Sequence, residues 1–333
     1  MSALAQELDG LAGESSFSGV VRIDREDEVV VQKAYGLAHR GQEIPNEIDT
    51  RFAIASGVKG MTALAVVSLV EDGELELETT ARSILGDDLP LIGDDVTVEH
   101  LLAHRSGIGD YLDEDVETDR FAYLMPVPVH ELASTEDYLA VLDGHPTKFA
   151  PGERFSYCNG GYVVLALIAE RASGVPFHEL VEQRVCEPAA MRDTSFLRSD
   201  ELPERTAIGY LAAEGLRTNV LHLPVRGSGD GGIYTTAADI RALWSAFFGA
   251  RIVPERRVRE MTHARSEANE HWRYGIGFWL HASTGTVVLE GYDAGVSFRS
   301  LHDPQADVTA TVISNWTDGA WPIAERLAER LQL

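Results

Sequence analysis

The chain has 333 residues, 44% hydrophobic and 24% charged, an ordinary globular composition with enough length for a large core. Its 53 Asp and Glu against 28 Lys and Arg give a formal charge of −25, which argues against nucleic acid or an anionic membrane surface as partner. The acidic residues are spread along the chain rather than gathered in a tail, so they read as a solvated surface. Two cysteines, Cys158 and Cys186, fall short of a disulfide framework and suit a reducing compartment. Met1 to Gly10 carry neither a basic nor an apolar leader pattern, and no apolar run reaches membrane-span length. A cytoplasmic location is expected, with no membrane partner.

In chain order, Ala3 to Leu11 reads as a short helix, and the β-branched runs Ser18–Ile23 and Glu28–Lys33 read as a hairpin. A helix buried on most sides follows from Val58 to Val70, with Asp72-Gly73 as its stop. From Gly73 to about Pro224 strands are scarce and helical periodicity alternates with turns: Thr97 to Ala103, Thr135 to Leu142, Tyr162 to Ala172 and Phe177 to Val185. The connection from Gly107 to Val129 reads as a surface loop, with a flap as the alternative. Near the end, Thr286–Leu289, Val296–Leu301 and Val308–Ile313 suggest a three-stranded meander, closed by a helix from Pro322 to Leu333. The two ends of the chain are thus expected to form one antiparallel sheet flanked by helices, an α+β fold. Residues 1–75 and 226–333 would form the sheet domain and 76–225 an inserted, mainly helical one. A cleft at their junction is the expected ligand site.

Ser56-Gly57-Val58-Lys59 stands at the mouth of the buried helix. A residue three positions on shares a helix face, so Lys59 should point its amine back at Ser56. Burial pushes a lysine toward its neutral form, and a neutral amine can take a proton from a serine hydroxyl. With twenty serines and three lysines in the chain, chance also produces such a motif, and an N-cap serine before a snorkelling lysine is the plain alternative. Downstream, Tyr157 and Asn159 are placed two apart in an extended loop, where they project to the same side. A tyrosine beside a lysine ammonium is expected to have a depressed pKa and to relay protons, and the asparagine amide to hold a substrate.

Together, Ser56 to Lys59, His100-Leu101-Leu102-Ala103-His104-Arg105-Ser106-Gly107, Phe155 to Tyr162 and Gly229 to Asp239 resemble the class C β-lactamase-like serine hydrolases. That family groups β-lactamases, D-alanyl-D-alanine carboxypeptidases, D-aminopeptidases and carboxylesterases, and the resemblance runs from about Ser18 to Trp321. It implies a β-lactamase/transpeptidase-like fold with Ser56 as the acylated nucleophile, Lys59 as the group that deprotonates it, and Tyr157 as base or proton relay. Asn159 would position the substrate or the lysine. The oxyanion hole would use the Ser56 N–H and one from the strand carrying a third motif. No cofactor is expected, and the substrate would be a small ester, amide or peptide.

The third motif, usually Lys-Thr-Gly or a His or Trp variant, is best matched by Glu290-Gly291-Tyr292-Asp293-Ala294-Gly295. Tyr292 would stand nearest the basic or aromatic position, and Tyr292, Asp293, Ala294 and Gly295 are expected to contact substrate. Without a lysine there, and with Asp293 nearby, a substrate carboxylate should bind weakly, which favours esters or amides over β-lactams unless Arg299 substitutes. A catalytically idle binding protein on the same fold is the rival reading. His100 and His104 lie at i and i+4 but lack a third ligand at metal spacing, so no metal site is assigned; His104 is expected to cap helix carbonyls. Gly-x-Ser-x-Gly is absent, and Gly227 to Gly232 reads as a tight backbone passage beside the cleft.

Overall fold

The computed structural model describes residues 3–115 and 123–333. Part of the 107–129 connection therefore lies outside the described residues. The chain opens with helix α1 (Ala3–Glu14), then strands β1 (Gly19–Arg25) and β2 (Glu28–Tyr35), paired as the hairpin expected from their β-branched runs. Next come helices α2 (Lys59–Asp72), α3 (Val98–Leu102), α4 (Asn159–Ser173) and α5 (Ala237–Phe248). Three short strands follow, β3 (Ser266–Glu267), β4 (Trp272–Tyr274) and β5 (Trp279–His281). The meander β6 (Val287–Asp293), β7 (Val296–Asp303) and β8 (Val308–Ser314) then leads to helix α6 (Trp321–Leu331).

All eight strands join one antiparallel sheet in the order β2-β1-β8-β7-β6-β5-β4-β3, so the first hairpin lies beside the last strand. Alternation divides the side chains between two cores. Val21, Ile23, Leu301 and Val312 face α1 and α6, whose stripe Ile323, Ala324 and Leu327 is the buried side of an otherwise charged helix. Val20, Leu289, Phe298 and Ile313 face the opposite layer, where α2 is buried from Lys59 to Leu69 among α4 and α5. Gly73 ends α2 at φ +78, the left-handed stop that Asp72-Gly73 suggested.

The sequence reading missed α5 and the strands β3 to β5. The strands are two or three residues long and interrupted by Gly275 and Gly277, which leaves no alternation to read. Helix α5 is announced by Thr236, whose side chain accepts the Asp239 N–H, and Trp244 ties it to β7 through Nε1–H donating to Ser300 Oγ at 2.8 Å. Among the described residues, no strand between Leu37 and Ala264 joins the large sheet. On that topology we propose the division into 1–75 with 226–333 and 76–225, although α4 shares one continuous core with α2.

Glycine permits the closest approach between sheet and helix. A Cβ at Gly291 on β6 would stand 1.9 Å from the Ile54 carbonyl oxygen, whereas one at Gly10, inside α1, would meet nothing within 4 Å. Gly291→Ala should therefore lower stability by about 2 kcal/mol or more, and Gly10→Ala should raise it by about 0.5–1 kcal/mol. Urea midpoints of the two variants check both signs.

Candidate active site

Phe52 and Ala53 pair with Thr235 and Tyr234, and from this two-residue ladder the chain turns through Ala55, at φ +43, into a 3₁₀ turn over Ala55–Val58. A non-glycine residue at positive φ carries backbone strain, here immediately before Ser56. The turn runs straight into α2, so Ser56 and Lys59 share one face as the motif requires. Lys59 Nζ donates to Ser56 Oγ at 2.8 Å, Asn159 Oδ1 at 2.9 Å and the Asp230 carbonyl at 2.9 Å. Lys59 is 2% exposed, and burial drives its pKa down, partly opposed by Asp230, Glu114 and Asp110.

Two neighbouring segments are shaped to reach that amine. One turn into α2, Thr62 Oγ1 donates to the Gly229 carbonyl at 2.7 Å, and a Cβ at Gly229 would collide with the Tyr162 carbonyl at 2.1 Å. The glycine run is thus the tight passage the sequence suggested, threaded between α2 and α4 so that Asp230 turns its carbonyl to Lys59. The Asp230 carboxylate accepts the Tyr111 hydroxyl. Asn159 is not in an extended loop with Tyr157 as expected, because α4 begins three residues earlier than its periodicity indicated. Asp110 makes that start, accepting the Asn159 N–H at 2.6 Å and the Gly160 N–H at 2.8 Å. The Asn159 amide also donates to the Leu112 carbonyl at 3.1 Å and Glu114 Oε1 at 3.2 Å, so its side chain holds the lysine.

Tyr157 lies in the extended segment before α4, its ring 4.3 Å from that of His104 and 5.9 Å from that of Trp279. Lys59 Nζ sits over the ring, 4.9 Å from its centroid. The expected depressed pKa is not found. Burial, then Glu114, pushes the phenol well above its ordinary value, outweighing its interaction with Ser56. Burial thus keeps Tyr157 as a neutral phenol. His104 also departs from expectation: its Nδ1 accepts the Cys158 N–H at 3.0 Å, and it is His100 that caps, in a reciprocal pair with Thr97.

The third motif is shifted in register. Gly291 is the residue that passes against the Ser56 turn, and Leu289, two positions earlier, packs its side chain on α2 at Gly60. Tyr292 turns its phenol away to Asp318 Oδ1 at 2.9 Å and its ring to Trp321, so it does not occupy the lysine position. Tyr292 and Asp293 still line the cavities at Ser56, but Ala294 and Gly295 do not. Those two form the hairpin turn, with the Ala294 carbonyl accepting the Asn219 amide and the Gly295 N–H donating to Thr317 Oγ1. Arg299 is bound to Glu290 at 2.6 Å and is not an uncommitted replacement cation. Backbone direction adds one donor. The Thr286 carbonyl accepts the His281 N–H on β5, and antiparallel alternation sends Val288, Glu290 and Tyr292 to the same edge. Beyond Val288, where β5 ends, the Tyr292 N–H follows that edge beside the Ser56 turn.

Ser56 is half-buried between two cavities. One, about 780 Å³ with its open mouth, has an apolar side made by Leu112, Tyr138, Leu197, Leu223, Pro224 and Val225 and also meets Asn159, Asp230 and Asp293. The other, about 470 Å³, is lined by Glu114, Tyr157, Trp279, Glu290, Gly291 and Tyr292. Sequence reasoning missed Asp230 and Trp279 as site residues, and it placed Asp110 only in a loop. Asp230 stood inside the Gly229–Asp239 stretch and Asp110 in the 107–129 connection, but Trp279 lies in a strand with no signal.

A match to the beta-lactamase family runs from residue 4 to residue 333. The chain belongs to that family. Within it, the chain is 27% identical over 324 residues to a D-aminopeptidase of Brucella anthropi, covering 93% of this chain and 58% of that protein. It is 35% identical over 197 residues to esterase EstB of Burkholderia gladioli, covering 57% and 49%. The chain thus spans roughly half the length of these two relatives. A crystal structure of a penicillin-binding protein from Bacillus halodurans superposes with a TM-score of 0.91 at 34% identity, covering 97% of this chain and 99% of that one. The beta-lactamase-family fold expected from the motifs, an antiparallel sheet flanked by helices, is the one observed.

Burial holds the Asp110 carboxyl up at about 6 against an ordinary 3.8, so folding takes up a proton between those values. The stabilising contribution of the protonated group is complete below about 3.8 and is lost as pH rises through about 6. From pH 7 to pH 5 the wild type should gain stability relative to Asp110→Asn, measured by denaturant midpoint. The opposite trend would mean that Asp110 stays ionised in the fold.

Proposed function

We propose that this protein is a serine hydrolase that acts through an acyl-enzyme on small ester or amide substrates, with Ser56 as nucleophile. The observation that carries the reading is the 2.8 Å contact between a fully enclosed lysine amine and a serine hydroxyl open to two cavities. With the amine neutral, the contact runs from the hydroxyl to the nitrogen lone pair, and Ser56 Oγ attacks as its proton passes to Lys59. The N–H groups of Ser56 and Tyr292 receive the developing oxyanion, a role typically worth a factor of about 10²–10³ in rate. Tyr157, a neutral phenol against both Lys59 and Ser56, relays a proton to the leaving group, and water then releases the acyl group.

The roles of the cavities follow from this direction of proton flow. The leaving group departs toward Tyr157 and Trp279, and the acyl group occupies the chiefly apolar cavity on the other side of Ser56. For p-nitrophenyl esters, kcat/KM should rise by up to about two hundredfold from acetate to hexanoate, since each of the four added CH₂ groups contributes about 0.8 kcal/mol when fully buried. A flat series would place the acyl group elsewhere.

The strand offers Leu289 where the family carries a cation, which supports esters and amides over β-lactams. The same substitution favours the rival reading of a catalytically idle binding protein. Ester turnover and nitrocefin turnover on wild type, Ser56→Ala and Lys59→Met separate the possibilities. Ester cleavage should fall at least a thousandfold in both variants, with little nitrocefin turnover in any. Absent ester turnover, together with no labelling of wild type by a fluorophosphonate, would establish the idle reading. Fast Ser56-dependent nitrocefin turnover would overturn the exclusion of β-lactams. Two buried free thiols and the acidic surface support a cytoplasmic setting with a small-molecule partner.

A further inference from the structure

We infer that His104 is the positioning residue for Tyr157, holding the N–H groups of its two neighbours, Ser156 and Cys158, and packing against its ring. This rests on the relay role proposed for Tyr157.

His104 follows α3 at the position where helices usually place glycine. Its N–H donates to the Leu101 carbonyl at 3.3 Å and the Arg105 N–H to the His100 carbonyl at 2.7 Å, the paired bonds of a left-handed helix stop. His104 takes φ +54 there, a conformation that glycine adopts without strain and a Cβ-bearing residue does not. The imidazole is therefore kept at the expense of backbone comfort. It is also kept at the expense of polar satisfaction. Nδ1 accepts the Cys158 N–H at 3.0 Å, which places the hydrogen of the neutral ring on Nε2, and Nε2 is buried without a hydrogen-bond partner among the rings of Tyr162 and Tyr274. A space-filling residue would need neither feature.

What the ring and its backbone hold is the segment 156–158. The Ser156 N–H donates to the His104 carbonyl at 2.9 Å, the Cys158 N–H to its Nδ1, and the ring centroid of Tyr157 lies 4.3 Å away. Two bonds, to the N–H groups of Ser156 and Cys158 on either side, fix the course of the backbone from which the Tyr157 side chain leaves, and the ring contact limits its swing. The imidazole remains an acceptor because burial and the nearby Lys59 oppose its protonation. Placement of a proton-transfer group to within an ångström governs rate, so losing the clamp should act on turnover rather than on binding.

The test is a double-mutant cycle on hydrolysis of a p-nitrophenyl ester, using His104→Gly, His104→Asn, Tyr157→Phe and His104→Gly with Tyr157→Phe. Glycine suits the left-handed stop and removes the imidazole. It should lower kcat about tenfold to a hundredfold with KM within about twofold. Asparagine tolerates the same φ and offers Oδ1 to the Cys158 N–H, so it should recover kcat to within about threefold of wild type. In the Tyr157→Phe background, His104→Gly should add less than about a twofold loss. An undiminished loss in that background, a change in KM instead of kcat, or no recovery by asparagine would reduce His104 to structure alone and overturn the proposal. If the glycine variant fails to fold, His104→Leu fills the site without an acceptor, and the proposal then requires it to lose the turnover that asparagine keeps. Wild-type turnover in Tyr157→Phe alone would overturn the relay reading itself, a result separable from failure of the clamp.

Discussion

An amine withdrawn from water must find partners for its hydrogens and lone pair, and that requirement organises the centre of this protein. Lys59 Nζ meets Ser56 on its own helix, Asn159 at the start of α4 and the Asp230 carbonyl in the glycine passage. These partners come from stretches 100 and 171 positions away along the chain. Three close approaches around the cluster depend on a missing side chain, at Gly229 against Tyr162 of α4, at Gly57 against Phe298 of β7 and at Gly291 against the Ile54 carbonyl. Removing one partner would leave a buried polar group unsatisfied, a penalty of about 1–3 kcal/mol, so the cluster is fixed as a unit.

The same enclosure decides the electrostatics. Tyr157, Tyr111, Asp110 and Asp230 are all biased toward their neutral forms by burial, and Lys59 is biased the same way. Protons in such a site move between weakly charged groups over short distances, which suits relay among Ser56, Lys59 and Tyr157 better than a standing charge. A shared scaffold does not select a substrate. Around the Ser56 turn, Leu289 is buried on α2, Arg299 is bound to Glu290, and apolar side chains from 197–225 help to wall one of the two cavities.

Much of this was legible in the sequence because the informative signals were local. The spacing of Ser56 and Lys59, the two β-branched runs at the start and the meander at the end each need only a few adjacent residues to be read. The register of the third motif was not legible, because it is set by which residue can touch the Ile54 carbonyl, a contact across 237 positions. Glycine at 291 was visible; that it, and not Tyr292, faces the nucleophile was not. The pKa of Tyr157 was misjudged for a related reason. Motifs that bring a tyrosine to a lysine say nothing about how deeply the phenol is buried, and burial is what raises its pKa. Trp279 had no pattern to announce it, since its strand is three residues long.

The pairing of β1 with β8 sets an order of events for the chain as it is made and folds. Ser18 Oγ donates to Asn315 Oδ1 across 297 positions, and the ladder from Gly19–Ser314 to Arg25–Val308 runs beside it. Closing a loop of that length opposes folding by an entropy term of about 5 kcal/mol before any contact rewards it. The first hairpin can form locally, but it remains an open edge until the final strand arrives. On a ribosome, β6 and β8 emerge only after α2 and the whole 76–225 stretch, so α2 must wait beside an incomplete sheet. During that interval its apolar faces are exposed, and the heavy negative charge of the chain would keep such half-finished molecules from sticking to one another.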